Sequence, residues 1–388
     1  MVQSEAQLKE YLNIVYRCIG CNFCLENSWV GPYHGCPIFD VMGFESYGPR
    51  GRNLIIKRIL ANDEKLKLDK KLTERIFSCA DCGYCEEFCM AGLPLVEMFR
   101  TLMNYALEHS EYIPNSIESA HKRLVNKDNI FGLSEEKKFD WLEDKSVLDR
   151  KDAEIIYFVG CTTLYNQTQI AKAIVSILKK THANFTILSN EKCCGYPFYA
   201  TGDLKKGTKF TKENIKLFKQ TNAKIVLFSC PGCMKTFIRD YEKATKEHFP
   251  FKAMHILEYI NNYLKERRIF LHFDRPLSAT YHDPCHLGRG LKLYDIPREL
   301  LSRIENLRLI EMPRARDKSF CCGGALTTNN PKIKEKVSER RAKEAIDTGA
   351  QVFLQACPTC ALNLKKGVSK LKSDIVVKDI VELFDELL

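Results

Sequence analysis

The sequence predicts an α+β chain of several domains, with an α-helical N-terminal region followed by two pseudo-symmetric α/β lobes. Three observations predict it. A five-cysteine arrangement occurs twice, as Cys161, Cys193, Cys194, Cys230 and Cys233 and again as Cys285, Cys321, Cys322, Cys357 and Cys360. The copies lie about 125 residues apart, too long for a solenoid repeat and right for two related lobes. From Ala153 onward, short apolar runs alternate with helical patterns, as in βαβ units, whereas before that point apolar residues recur three and four apart. The boundaries that follow are a helical domain over 1–126, a linker over 127–152, and lobes over 153–268 and 269–388.

Residues 4 to 16, with Leu8, Leu12, Val15 and Tyr16 on a helical period after Ser4, read as a capped helix. It leads into Cys18, Cys21 and Cys24, then Cys36, and later Cys79, Cys82, Cys85 and Cys89. Two-residue gaps let successive thiolates bend around one compact cluster while loop N–H groups point at its sulfurs. Structural zinc, which usually takes two separated Cys-x-x-Cys pairs, fits these triplets poorly. The runs resemble the two-cluster bacterial ferredoxin pattern, in which the fourth cysteine of each run reaches across to the other cluster. That resemblance implies one cubane [4Fe–4S] cluster on Cys18, Cys21, Cys24 and Cys89, and a second on Cys36, Cys79, Cys82 and Cys85. Two departures stand out: an insert from Leu25 to Gly35 carrying Trp29 and His34, read as a longer loop, and Met90 in place of proline after Cys89.

Residues 51 to 62 and 93 to 126 read as helices, and the charged stretch to Asp152 as a linker that packs Phe139 and Trp141 against one domain. In the first lobe, strands at Ile155–Val159, Phe185–Leu188 and Lys224–Phe228 lead to cysteines, with helices at 167–180 and 204–219. The second lobe repeats this, with strands before Cys285, at Leu307–Ile310 and at Val352–Gln355, and helices near 296–304, at 332–347 and after Cys357. Ligands of open α/β sheets gather beyond the carboxyl ends of strands, where these cysteines fall. A helix opening at each Cys-x-x-Cys favours thiolate through its N-terminal dipole.

A chain of 388 residues, 45% hydrophobic and 28% charged, is ordinary for a globular protein of two or three domains. No apolar run approaches the ~20 residues of a membrane span. Met1 to Glu10 lacks an apolar export core, so the expected location is cytoplasmic. The net charge of +10 is spread among 49 acidic residues without a basic arm, which argues against nucleic acid. All eighteen cysteines fall into the four groups, a pattern suited to metal or redox chemistry and not to a short secreted disulfide scaffold.

Adjacent cysteines make an awkward disulfide because their Cα atoms are ~3.8 Å apart. They suit two thiolates on neighbouring metals, with glycine letting the backbone turn tightly. Five thiolates exceed what one zinc or one cubane needs, so each set asks for an irregular polynuclear site.

The full pattern Cys161…Cys193-Cys194-Gly195…Cys230-x-x-Cys233, its repeat, and the stretch Thr280–Arg289 resemble the CCG-domain proteins of the heterodisulfide reductase type. With the N-terminal part included, nearly the whole chain is similar to the D-type subunit of that family. The resemblance implies a non-cubane [4Fe–4S] cluster on each five-cysteine set. It implies that a disulfide, such as that of coenzymes M and B, is split between them, with Cys193, Cys194, Cys321 and Cys322 at the reacting centres and each sulfur captured by an iron. Electrons would arrive singly through the cubanes from a flavoprotein or a membrane cytochrome b subunit, which would hold the chain at the inner face of the membrane. Similar iron–sulfur subunits serve flavin-dependent 2-hydroxyacid and glycerol-3-phosphate dehydrogenases, so a pure electron relay is the alternative. No Gly-x-Gly-x-x-Gly opens a helix after a strand, so flavin or nicotinamide belongs to a partner. His282 and His286 flank Cys285 and are candidate proton donors to a leaving thiolate. Arg289, Lys192 and Lys235 read as solvated charges that can attract an anion, and Tyr196, Pro197 and Phe198 as pocket or core residues.

Overall fold

The computed structural model describes residues 3–25 and 34–388; most of the insert after Cys24, with Trp29, lies outside the described residues. The described residues before Ile155 form helices and loops around a core of Leu8, Val15, Ile56, Ile76, Phe77, Met98, Phe99 and Leu102. The helix expected over 4–16 is two, Gln3–Lys9 and Leu12–Val15, and Ser4 is no cap but a buried helical residue bonded to Glu108. The helix expected over 93–126 also divides, into Leu95–His109 and Asn115–Lys127. Pro114 is the reason: it disfavours helical backbone at the residue before it. Ser110 then organises the connection, its hydroxyl accepting from Tyr112 N at 3.2 Å.

The stretch after Lys127 is more than a linker. Trp141, Leu142 and Val147 are buried in the first lobe's core, and Leu148 makes a parallel bridge to Ile187.

Strands β1 (Ile155–Phe158), β2 (Phe185–Thr186), β3 (Ile225–Phe228) and β4 (Lys252–His255) form a parallel sheet in the order β2-β1-β3-β4. Strands β5 (Leu271–Tyr281), β6 (Ile304–Leu309), β7 (Val352–Gln355) and β8 (Val376–Asp379) form a second parallel sheet in the order β6-β5-β7-β8. In both, the first strand in sequence pairs with the second on one side and the third on the other. Strand order reverses there, opening the crevice in which α/β sheets hold ligands. Strands β1, β3 and β7 are continuous apolar or buried runs, as parallel strands covered on both faces require.

The sheets share one apolar core, in which Tyr157 and Leu227 join Ala279, Tyr281, Leu354 and Phe384. The last helix, Ile380–Leu387, crosses to pack on Thr168–Lys180 of the first lobe, with Lys180 Nζ 2.9 Å from Asp385 Oδ1.

Candidate metal centres

The loop after Val15 and the turn after Glu87 converge so that Cys18, Cys21, Cys24 and Cys89 line one small cavity, with Cys21 exposed. Cys36, Cys79, Cys82 and Cys85 line another. Cys36 caps the helix Pro37–Met42, and its turn and the Cys79–Cys85 loop face each other across the cavity. Backbone N–H groups aim at sulfur: Leu93 N is 3.4 Å from Cys89 Sγ, and Asp81 N is 3.5 Å from Cys79 Sγ. Burial pushes the Cys24 and Cys36 thiols up to about 12, so stable thiolate there requires a bound cation. Each set is four thiols around one cavity, a donor chemistry that fits a thiolate-held iron–sulfur cube.

The five-cysteine sets form at the carboxyl ends of the central strands. Cys161 opens a helix just beyond β1, Cys230 and Cys357 cap the helices beyond β3 and β7, and Cys285 follows β5. The Cys-Cys pairs then arrive on turns that only glycine suits. Gly195 has φ +91°, and a Cβ there would stand 2.6 Å from the Gly207 carbonyl oxygen; Gly323 has φ +84°. Within the sets, Cys161 and Cys193 Sγ are 4.0 Å apart, as are Cys285 and Cys321, while Cys322 and Cys360 are 3.1 Å apart. In both lobes the second cysteine of the pair is the ready thiolate. Cys193 and Cys233 donate to Cys194 and bring it down to about 5; Cys321, Cys360 and His282 hold Cys322 well below the ordinary thiol range.

The two sets meet. Cys230 packs against the buried cluster that contains Cys357 across the seam, and Thr162 and Thr359 hydroxyls lie 3.4 Å apart. All ten cysteines line one cavity of about 110 Å³, whose wall includes Ile130, Phe131, Tyr196, Pro197 and His286. Phe198 is not part of that wall; it is core, in tilted ring contact with Phe210 and His121. His286 and Cys285 also face an outer cleft of about 890 Å³, where Cys82 emerges.

His282 and His286 are therefore differently placed. His286 donates from Nε2 to the Asp81 carbonyl at 3.2 Å and lies beside Tyr196. His282 is wholly buried, its Nδ1 accepting from Arg341 Nε at 3.1 Å. Two charges expected at the surface are not there. Arg289 is buried between the N-terminal unit and the second lobe, donating to the carbonyls of Cys82, Asp317 and Ser319, each at 2.8 Å. Lys235 is largely buried on Asp240 at 2.7 Å, while Lys192 keeps a half-exposed pairing with Asp128 and Glu213.

Sequence reading missed the polar frame around the seam. Arg100 grips Asp81 at 2.9 and 2.6 Å and reaches Asp240 at 2.8 Å, tying the N-terminal unit to the first lobe. Burial alone would raise the Asp81 carboxyl, but Arg100 and Lys235 outweigh it and keep the group below the usual carboxylate range. Glu191, also missed, accepts from Val159 N and Gly160 N at 3.1 and 2.8 Å, and burial pushes it up to about 7. These partners are distant in sequence, and no local motif marks them.

The cysteine-bearing segments match described families. Residues 14–93 match a 4Fe-4S dicluster domain, and residues 155–238 and 279–365 a cysteine-rich domain, CCG. The chain is 30% identical over 96% of its length, and 93% of the relative's, to the D-type subunit of dihydromethanophenazine:CoB–CoM heterodisulfide reductase from Methanosarcina barkeri. It is 31% identical, over the same shares, to the protein of that name from Methanosarcina acetivorans. A crystal structure of a hypothetical protein from Helicobacter pylori is similar in fold, with TM-score 0.54 and 11% identity over 100% of this chain and 76% of that one.

Proposed function

The chain belongs to the heterodisulfide reductase D-type family of CCG-domain iron–sulfur proteins, and from that premise we propose that it reduces a disulfide to two thiols at the seam between its five-cysteine sets. Membership makes it an iron–sulfur electron-transfer subunit of a redox complex. The finer reading is two cubane [4Fe–4S] clusters on the N-terminal sets feeding two non-cubane [4Fe–4S] clusters on the lobes. The lobes are read as related by pseudo-symmetry, a reading supported by their equivalent strand orders, and the boundaries 1–126, 127–152, 153–268 and 269–388 as its domains.

The observation that supports this best is the single cavity lined by all ten lobe cysteines. A disulfide has two sulfurs to be parted, and this cavity presents two thiol-lined walls, one from each lobe. Clusters held there would supply single electrons and an iron able to take a thiolate. The protein's own groups do the rest. Cys193, Cys194, Cys321 and Cys322 fix the reacting edges, and the apolar wall of Ile130, Phe131 and Pro197 excludes water. Cleavage consumes two electrons and two protons per disulfide. We assign proton delivery to His286, a reading supported by its bordering both the cavity and the outer cleft. His282, buried behind Cys322, orients sulfur instead of meeting solvent.

Electrons come from a partner subunit, for which a flavoprotein and a membrane cytochrome b are the two proposed classes. Among the described residues no helix is long and apolar enough to cross a membrane; the proposed place of the chain is the cytoplasmic side, held at the inner face of the membrane by such a cytochrome. The test is anaerobic oxidation of reduced viologen by a panel of disulfides, coenzyme M–coenzyme B disulfide included, on protein of verified iron content. Turnover with release of two thiols per two electrons supports the reductase. Full iron without turnover on any disulfide supports the alternative, a relay subunit of a flavin-dependent dehydrogenase.

A further inference from the structure

The two five-cysteine sets share a pattern but not their surroundings. In the second lobe, Arg341 is permanently protonated and can only donate. Its Nε bonds His282 Nδ1 at 3.1 Å, so that nitrogen carries the lone pair and the ring proton sits on Nε2. Nε2 is buried with no hydrogen-bond partner, and the His282 ring lies with the Cys322 and Cys360 sulfurs in one group whose ligand atoms are all within 4.8 Å of one another. The imidazole therefore carries an unspent N–H donor in the company of these two sulfurs. Arg289 adds a second donor. Its other nitrogens are spent on backbone carbonyls, its Nη2 is buried without a partner, and among the described residues it pairs with no carboxylate. Around it stand the thiols of Cys82, Cys285 and Cys321.

The first lobe offers the opposite. Phe158 stands three residues before Cys161, where His282 stands three before Cys285, and it packs against Phe218, Phe228 and Phe237. Asn214 occupies the place of Arg341, the same number of residues after its helix's capping residue, Asp203 against Asn330. Near Cys194 lies the acidic side chain of Glu191, which accepts from Val159 N and Gly160 N. Hydrogen bonds to sulfur and positive charge favour the reduced form of a cluster; apolar walls and carboxylates disfavour it.

We infer that His282, held by Arg341, and Arg289 are positioning residues that give the second-lobe set a higher reduction potential than the first, so that electrons from the N-terminal unit collect there before reaching the first lobe. This rests on the reading that both sets hold clusters. The packing agrees with the order, since the N-terminal Cys82 lies against the buried cluster that contains Cys321 of the second set.

The test is an EPR-monitored redox titration of the anaerobically reconstituted full chain, with lobe signals assigned by their loss in Cys233→Ser and Cys360→Ser protein. The second-lobe signal is expected at the higher midpoint. His282→Phe should shift it downward and leave the first-lobe signal in place, while His282→Gln, which keeps an N–H donor, should largely retain the wild-type value. Arg289→Gln should lower the same midpoint independently. Equal or inverted midpoints, or a second-lobe midpoint unmoved by both His282→Phe and Arg289→Gln, would overturn the inference. Iron and sulfide sufficient only for the N-terminal sets would instead contradict the reading beneath it, and is read before any potential is measured.

Discussion

Cys82 packs against the buried cluster that contains Cys321, and each thiol shifts the other's proton affinity, so the N-terminal metal site meets the second lobe at these two residues. Arg289 fastens the same joint, donating to the Cys82 carbonyl at 2.8 Å. Cys82→Ser is thus expected to slow reduction of the lobe centres in stopped-flow experiments. The grouping of thiols makes a companion prediction. Cys18→Ser and Cys89→Ser should lose one and the same N-terminal EPR signal, and Cys36→Ser and Cys85→Ser the other.

Gly195→Ala should remove the first-lobe centre while sparing the N-terminal ones. Its φ of +91° costs a non-glycine residue about 1–3 kcal/mol, and the new Cβ would meet the Gly207 carbonyl oxygen at 2.6 Å. Iron content and the surviving EPR signals check this, with thermal unfolding reporting the lost stability.

Arg100 is the buried cation between Asp81 and Asp240. Its removal leaves the buried Asp81 without its arginine and Asp240 with Lys235 alone, a loss of about 3–5 kcal/mol. Denaturant unfolding of Arg100→Ala protein should show that deficit near neutral pH. It should shrink in acid, where the two carboxyls take up protons instead of remaining charged and unpaired.

The two lobes end in equivalent capped helices whose caps titrate in opposite senses. His255 caps Ile256–Arg267, accepting from Leu257 N on Nδ1 and donating from Nε2 to the Ser229 carbonyl, so the neutral ring satisfies both bonds. Burial pushes it down to about 4. Between there and the ordinary histidine range the unfolded chain binds the extra proton, so stability falls as pH drops, by about 2 kcal/mol at pH 5. Asp379 caps Ile380–Leu387 and burial pushes it up to about 8. Here the folded state holds the proton, and stability falls as pH rises from the ordinary aspartate range toward 8. Unfolding across pH should therefore lose the His255 contribution between about pH 6.5 and 4 in His255→Asn, and the opposing contribution between about pH 4 and 8 in Asp379→Asn.

Much of this was legible in the cysteines. Their spacing located the turns, and the apolar runs before Cys161, Cys230 and Cys357 located β1, β3 and β7. The strands β4 and β8 and their helices were not foreseen. Lys252–His255 is half exposed and ends on a histidine cap, a residue that does not advertise a helix start. Asp379 with Glu382 is the more readable of the two, a capping box three residues apart. Arg289 reads as a surface charge in sequence because the groups that bury it come from residues 82, 317 and 319, and only the fold brings them together.

The central claim is that one disulfide is parted between two cooperating walls. The most direct measurement is disulfide-dependent oxidation of reduced viologen by Cys193→Ala and Cys321→Ala proteins, each checked for intact N-terminal clusters, beside the wild type. Loss of turnover in both variants, with viologen still able to reduce the N-terminal centres, is the predicted result. Wild-type turnover that survives in either variant would contradict the account, because a single lobe would then suffice.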